Sequence, residues 1–411
     1  VLLRGDRRRA IVAPLTAFGI LLAIGLAVRL VLVPTPGHWW DVAVMAVWAE
    51  ELAEFGPGRF YEVDNSVYPA LLPVLWVVGL ALDGGQLFHG IKALSIPFDL
   101  LIGTLLFVLV GRPAGWLPGL AAAALYLLNP AMLIAGPLWG QVDAVGTLFF
   151  LGAVVSTAGH RFALAGALTI LAALAKPQFG LVALPLVIVL AQVWWRDRRL
   201  APIGRAILGS LVAWSAVGLL VGLTPWGWVA QVSLISSLAA ETSLYAFNLW
   251  AFLVGNRVPD GPYVLASAIL LAGGVALALI PLRRRQDLAT LLAVGMMLAF
   301  AFYFLPTRVH ERYLFPALAL AAPFAAVDRG SLAAYVALSV AFALSVLRAL
   351  APNTHYFAAD LESALASDGM MWAIGLALVG SALILIWRSL SGAGDPLNGR
   401  APEPAPSAAP G

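Results

Sequence analysis

Long apolar runs are the feature that most restricts what this chain can fold into. GILLAIGLAVRLVLV (19–33) and LATLLAVGMMLAFAFYFL (288–305) carry at most one charge each, and similar runs recur to residue 387. A run of about 20 such residues matches the hydrocarbon thickness of a bilayer. Inside hydrocarbon, backbone amides must bond within their own segment, so repeated runs of this length specify helices. The expectation is an all-α polytopic membrane protein. Hydropathy places about twelve spans, at 11–33, 88–110, 116–135, 143–159, 162–176, 178–195, 206–223, 262–281, 287–305, 313–327, 331–349 and 370–387. The composition agrees, with 62% hydrophobic and 11% charged residues.

Orientation follows from the positive charges. With RGDRRR at the N-terminus placed in the cytoplasm, the same side receives Arg112, Arg161, the RDRR run at 196–199, Arg205, the RRR run at 283–285, Arg329 and Arg388. Both termini are then expected to be cytoplasmic. Residues 389–411, rich in Pro, Ala and Gly without apolar periodicity, are expected to be a disordered tail. Residues 1–388 form the membrane domain. The run at 11–33 is longer than a signal-peptide core and lacks a small-residue cleavage site, so it is expected to remain as the first helix. Segment 68–83 has two prolines in YPALLPVLWVVGLALD and is expected to be re-entrant, since a full crossing would turn the RRR run outward. Without cysteine there are no disulfides, thiolate metal ligands or thiol nucleophiles. The net charge of +3 is spread over loops and forms no nucleic-acid patch.

This topology sends the chemically interesting residues to one membrane surface. The external loops 34–66, 224–261 and 306–312 join GPLWGQVD (136–143) and AKPQ (175–178) there. Ionisable groups beside hydrocarbon are costly, and a gathering from separate spans marks a site. In the first loop, Val44, Val47, Trp48, Leu52 and Phe55 recur at helical spacing opposite Glu50, Glu51 and Glu54, which predicts an amphipathic helix on the membrane surface from Asp41 to Phe55. Asp41 reads either as its N-cap or as a general base. Trp139, Gln141 and Asp143 offer a flat ring with donors and acceptors suited to a sugar, although Asp143 also fits the cap of the next helix. Lys176 reads as a snorkelling lysine or an anchor for an anionic headgroup. Asn248 and Trp250 in FNLW are weaker candidates, since interfacial Trp is common. The densest cluster is Arg308, His310, Glu311 and Arg312, where the chain re-enters the membrane at once through YLFP. Two guanidiniums at headgroup depth suit a phosphate, with Glu311 orienting an Arg or His310.

Several of these motifs together resemble a known family. Asp41 in the first outer loop, YPALL (68–72), WGQVD (139–143), KPQ (176–178), FNLW (247–250) and HERYLFP (310–316) recur in this order in bacterial GT-C membrane glycosyltransferases. The chain most resembles the group similar to the GPI-anchor mannosyltransferases of the PIG-V type, over roughly residues 11–349. The His310–Glu311 pair is also similar to that of ER glucosyltransferases using dolichyl-phosphate-glucose. The resemblance implies a GT-C-like fold in the plasma membrane. It also implies transfer, with inversion, of a hexose (mannose by resemblance) from a polyprenyl-phosphate carrier on the external face. The acceptor would be a glycan, glycolipid or protein. Carried over residue by residue, Asp41 is the expected base. Arg312 or Arg308, with His310 and Lys176, holds the donor phosphate. Tyr68, Trp139, Gln141, Asp143, Asn248, Trp250 and Glu311 line the sugar or acceptor site. No metal or cofactor is expected, because cations would stabilise the departing phosphate. Two departures stand out: Tyr68-Pro69-Ala70 replaces the YPP of many relatives, and Asp64 is a second external carboxylate that competes for the base role. The rival readings are a transporter or flippase of lipid-linked sugars, a polysaccharide polymerase or ligase, and a non-catalytic assembly subunit.

Overall fold

A computed structural model describes residues 2–353, 363–365 and 367–399. Its described residues form helices joined by short turns, with isolated β-bridges and no strand. Each apolar run seen in the sequence is helical over most of its length. The first is α1 (Leu2–Leu32), followed by α2 (Trp39–Phe55) and α3 (Leu72–Ala81). Next come α4 (Gly84–Ala93), α5 (Ser95–Ala114), α6 (Trp116–Leu127), α7 (Asp143–Ala158) and α8 (Phe162–Ala175). After these lie α9 (Ala183–Asp197), α10 (Ala201–Leu220), α11 (Pro225–Leu238) and α12 (Val264–Leu279). The last four are α13 (Leu288–Phe304), α14 (Phe315–Val327), α15 (Arg329–Leu350) and α16 (Asp368–Leu390).

Among the described residues, seven helical segments are long and apolar enough to cross a membrane by length and composition, and the pair Trp116–Leu127 and Pro130–Leu138, bent by 43°, would make an eighth. The remaining apolar helices are shorter, and three of them sit at the centre. Almost every side chain of α14 is buried, as are most of α7 and α13. A helix walled by other helices meets protein rather than lipid at its ends, so it need not span the hydrocarbon alone. Several of the longer helices lie on the outside, and α12 buries only Ser267 and Ala278. Small residues permit the tightest crossing. A Cβ on Gly166 would lie 2.1 Å from the Ala206 carbonyl oxygen, and one on Gly209 would lie 1.8 Å from that of Ala163. That is close backbone approach between α8 and α10, the usual role of small residues at membrane helix contacts.

In the charged pair inside the bundle both Asp99 oxygens are bonded, while Arg29 Nη2 has no partner among the described residues. Arg29 Nε donates to Asp99 Oδ2 (3.0 Å) and its Nη1 to the Leu127 carbonyl (2.7 Å), while the Tyr126 hydroxyl donates to Asp99 Oδ1 (2.7 Å). These bonds staple α1, α5 and α6 where a lone charge would be expensive.

Two expectations, the inward face of α2 and the disorder of the tail, change in detail, while the short helix in 68–83 fits the re-entrant expectation. Helix α2 exists, but it buries Val42, Met45, Ala46, Trp48, Ala49 and Leu52, whereas Val47 and Phe55 are exposed. Its inward face is set by packing against α3 and α4, which the periodicity of α2 alone does not reveal. Helix α3 has 10 residues, a rise of about 15 Å, half of what a crossing needs. The tail is ordered at least to residue 399: Asp395–Asn398 form a 3-10 turn, Leu397 is buried, and Ala289 N donates to Asn398 Oδ1 (3.2 Å). The expected disorder of 389–411 is therefore corrected for 389–399, and 400–411 lie outside the described residues.

Candidate functional site

The site starts from a break in a helix. After Leu127 the chain leaves the α6 axis. Asn129 caps the next turn by accepting from Ala131 N (3.0 Å), and Ile134–Leu138 make a single π-helical turn around Pro137. Such turns are rare and concentrate at functional sites. This one ends at Trp139-Gly140-Gln141. Gly140 has φ +101°, and a Cβ there would press to 2.7 Å on Val42, so glycine is required on both counts. The turn thereby aims the Trp139 and Gln141 side chains at the start of α2.

Asp41 receives them. Trp139 Nε1 donates to Asp41 Oδ2 at 2.8 Å and Gln141 Nε2 to the same oxygen at 2.5 Å. Asp41 is not the N-cap of α2. That role belongs to His38, whose Nδ1 accepts from Asp41 N (3.3 Å) and whose ring stacks on Trp139 at 5.0 Å. His38 N also donates to the Trp139 carbonyl (3.0 Å). The Asp41 carboxylate is therefore free of its own helix backbone, while the positive end of that helix favours its charge.

The third element is the turn between α13 and α14. Glu311–Leu314 form a 3-10 turn whose approach is fixed by the 241–245 segment: Leu244 N donates to the Val309 carbonyl (2.8 Å) and Glu311 N to that of Leu244 (3.2 Å). Arg312 emerges buried. Its Nη1 donates to Glu311 Oε1 (2.8 Å) and to His310 Nδ1 (3.3 Å), its Nη2 lies 3.9 Å from Asp41 Oδ2, and its guanidinium stands 5.7 Å over the Trp139 ring. Arg312 Nε has no partner among the described residues. A guanidinium only donates, so His310 Nδ1 accepts and carries no proton.

The electrostatics follow from this packing. Burial alone would raise the Asp41 carboxyl, but the Arg312 guanidinium, His38 and the Trp139 N–H outweigh it and hold it below the ordinary aspartate range. Burial likewise opposes Glu311, and the Arg312 guanidinium above all overcomes it, down to about 2. His310 is lowered by burial and then by Arg312, so it is neutral near pH 7. Burial works against the charge on Arg312, yet Glu311 and Asp41 raise its pKa. Asp41 is thus ionised, with Oδ2 committed to its donors and Oδ1 left to accept.

A second ion pair adjoins the first. Lys176 Nζ donates to Asp143 Oδ1 at 2.6 Å, and both side chains are almost wholly buried. The ammonium lies 5.5 Å from the Tyr68 ring centroid and 5.4 Å from that of Tyr313. Lys176 therefore does not snorkel. Asp143 is not a cap either, because Val142 holds that position. Counting Asp41, Asp143 and Glu311 against Lys176 and Arg312, carboxylates exceed cations by one.

The structure thus brings together Asp41, Trp139, Gln141, His310, Glu311 and Arg312, with Asp143, Lys176 and Tyr68 alongside. It places four other candidates elsewhere. Arg308, at φ +64°, turns away to a two-pronged bond with Asp260 (2.7 and 3.1 Å) and donates to Ser236, so its guanidinium is spent on the 224–261 loop. Asn248 caps Leu249–Leu253 and donates to the Thr242 and Pro306 carbonyls, leaving no amide atom for a ligand. Trp250 Nε1 donates to the Leu305 carbonyl (2.8 Å). Asp64 accepts from Asn65 N (2.6 Å) and lies against Glu51. His38 and Tyr313 belong to the site although sequence reasoning passed over them. The signal for His38 was present in GHWWD, a polar residue three before Asp41 at a helix start. Among the described residues, no three His, Asp or Glu side chains are grouped as metal ligands. No protein-family model matches this chain, and a search of curated proteins finds no match.

Proposed function

We propose that the protein is an integral membrane glycosyltransferase of GT-C-like architecture, with about twelve crossings. It would transfer a hexose, mannose by resemblance, from a polyprenyl-phosphate donor to an acceptor on the external face of the plasma membrane, with both termini cytoplasmic. One observation carries the reading: three segments far apart in sequence converge on a single carboxylate oxygen, Asp41 Oδ2, bonded to Trp139 and Gln141 and facing Arg312. An oriented carboxylate beside a cation supports this reading, since a base and a positive charge both assist group transfer from a phosphate.

In the proposed step, Asp41 Oδ1 takes the proton of an acceptor hydroxyl. The hydroxyl oxygen bonds to the anomeric carbon from the face opposite the phosphate. The bond between that carbon and the phosphate oxygen breaks, and its electron pair leaves with the phosphate. Arg312 offsets the charge that develops there, with Lys176 adding field. Because Glu311 and Asp41 already occupy the guanidinium, its help is greatest as charge grows on the leaving oxygen. Trp139, buried between His38 and Arg312, holds Asp41 in place and leaves no face for a sugar. No step calls for a metal. A transporter is less well supported, since its intramembrane charges would be expected to face a pathway, and here Arg29 and Asp99 bond to each other and to neighbouring groups.

The test is kinetic. With purified protein and polyprenyl-phosphate-mannose, Asp41→Asn should lower kcat by about 10²-fold or more while donor affinity changes little. Transfer by that variant at the wild-type rate would refute the assignment.

A further inference from the structure

The end of the bundle opposite the candidate site carries arginines of a different kind. Around the site, Arg257 pairs with Glu241, Arg308 with Asp260 and Arg312 with Glu311. Arg196 in the last turn of α9 and Arg283 in the 3-10 turn Ile280–Arg283 after α12 are exposed, and neither has a carboxylate partner among the described residues. Across 196–199 and 283–284, five arginines stand against the one carboxylate of Asp197. The next acidic group, Asp287, caps α13 by accepting from the Thr290 amide (3.0 Å) and hydroxyl (2.8 Å), and Asp395 lies 3.5 Å from Arg285.

Arg196 and Arg283 line one recess of about 500 Å³, together with Trp194, Trp195, Ala191 and Ile188. Polar bonds fix its two walls to each other. Gln192 Nε2 donates to the Leu282 carbonyl (3.0 Å), and Gln286 Nε2 donates to Gln192 Oε1, so α9 is tied to the turn that presents Arg283. The Arg198 guanidinium stands 5.5 Å over the Trp194 ring and 4.8 Å over that of Trp195, which brings a third cation beside the recess. Its depth in the bilayer follows from α9. Beyond Lys176 the apolar segment Pro177–Asp197 has 21 residues, a rise of about 30 Å and hence one hydrocarbon thickness. Arg196 therefore stands at headgroup depth on the face away from the candidate site, where tryptophan is also favoured. Ile188 lies eight residues before Arg196, so the apolar wall reaches about 12 Å into the hydrocarbon.

We infer that this recess binds an anionic phospholipid, with the headgroup phosphate between Arg196 and Arg283 and the acyl chains against Ile188, Ala191 and Trp194. Guanidiniums without a carboxylate keep their fork of donors for phosphate oxygens. The surplus of arginine selects a lipid of net negative charge, because a zwitterionic headgroup brings an ammonium that the same arginines repel. A wall of about 12 Å suits the first part of ordinary acyl chains and is too short to track a polyprenyl chain. In the orientation proposed above, this lipid belongs to the cytoplasmic leaflet, a bilayer thickness from the donor of the proposed transfer. The binding does not rest on the glycosyltransferase reading.

Binding of the first lipid is measured by native mass spectrometry of the full-length protein in detergent, titrated with dioleoyl phosphatidylglycerol. Dioleoyl phosphatidylcholine, inorganic phosphate and farnesyl phosphate serve as comparators. Arg196→Gln/Arg283→Gln should weaken phosphatidylglycerol at least about tenfold, since each basic residue near anionic headgroups contributes roughly fivefold. Arg196→Lys/Arg283→Lys should keep most of the affinity. Arg59→Gln, which removes a cation at the other end of the bundle that pairs with Glu62, should bind as the wild type does. Because Arg196 and Arg283 are exposed and unpaired, the Gln double variant should unfold at the wild-type temperature without lipid, and phosphatidylglycerol should raise the wild-type Tm but not that of the variant. Wild-type affinity in the Gln double variant would overturn the inference, as would phosphatidylcholine binding as tightly as phosphatidylglycerol. So would displacement of the lipid by an equal concentration of inorganic phosphate or of farnesyl phosphate, which would make the occupant a soluble anion or a prenyl phosphate. Asp41→Asn should bind phosphatidylglycerol normally, so a failure of hexose transfer leaves this result standing.

Discussion

Replacing Lys176 with methionine leaves Asp143, the most deeply buried charge of the candidate site, without its partner. The ammonium and the Asp143 carboxylate are 2.6 Å apart with 3% and 1% of their side chains exposed. At that distance the attraction is about 6 kcal/mol for an effective dielectric near 20, set against the desolvation of both ions. Met fills similar volume between the Tyr68 and Tyr313 rings, so the main loss is electrostatic. It strands Asp143, whose Oδ2 already has no partner among the described residues. Stranding one member of a buried pair costs about 3–5 kcal/mol, which in a chain of this size lowers Tm by roughly 3–6 °C. The double variant Lys176→Met/Asp143→Leu removes both charges and should recover most of the loss. The assay is thermal unfolding of the purified protein in detergent. If Lys176→Met costs less than about 1 kcal/mol, as expected for a solvent-reaching lysine, the pair is not buried and the reasoning fails.

Further expectations follow from the same geometry. Trp139→Phe deletes one N–H from Asp41 Oδ2 but keeps a ring beneath Arg312. Losing about 1.5–3 kcal/mol of charge-assisted bonding should raise the Asp41 pKa and move the acidic limb of the kcat/KM profile up by about 1–2 pH units. Glu311 is depressed from 4.5 to about 2, so its contribution to stability is complete above pH 4.5 and is lost as pH falls toward 2. Glu311→Gln should flatten the acid denaturation profile across that window. Deleting residues 391–411 should expose the surface that Leu397 covers and cost about 1–3 kcal/mol, readable as a lower Tm. A deletion without effect would show that the ordered tail contributes nothing.

Much of the architecture was legible because the membrane leaves few choices. Apolar runs that must satisfy their own amides become helices, and the runs at 143–159 and 287–305 appear as α7 and α13 nearly to the residue. Span length was less legible: α14 is short because neighbours replace lipid around it, a tertiary fact. The residues near the site were readable for a related reason, since ionisable groups at helix ends beside hydrocarbon need partners. Which partner each group takes was not readable. Arg308 and Arg312 look equivalent in RVHER, yet Asp260, 48 residues away, claims one and Glu311 the other. Similarly, the polar faces of α2 suggested an outward helix, but the apolar wall of α3 and α4 decides which face is inside. His38 was overlooked because its role depends on stacking against Trp139, which only the π-helical turn brings near.

The most direct test is whether sugar moves. Purified wild-type protein is incubated with polyprenyl-phosphate-mannose and a lipid and glycan extract of the membrane, and every component that gains a hexose is identified by mass. The account predicts a new hexosylated acceptor with the wild-type protein and none with Asp41→Asn. A product of equal yield from Asp41→Asn, or donor merely moved across vesicles without a new glycosidic bond, would contradict it.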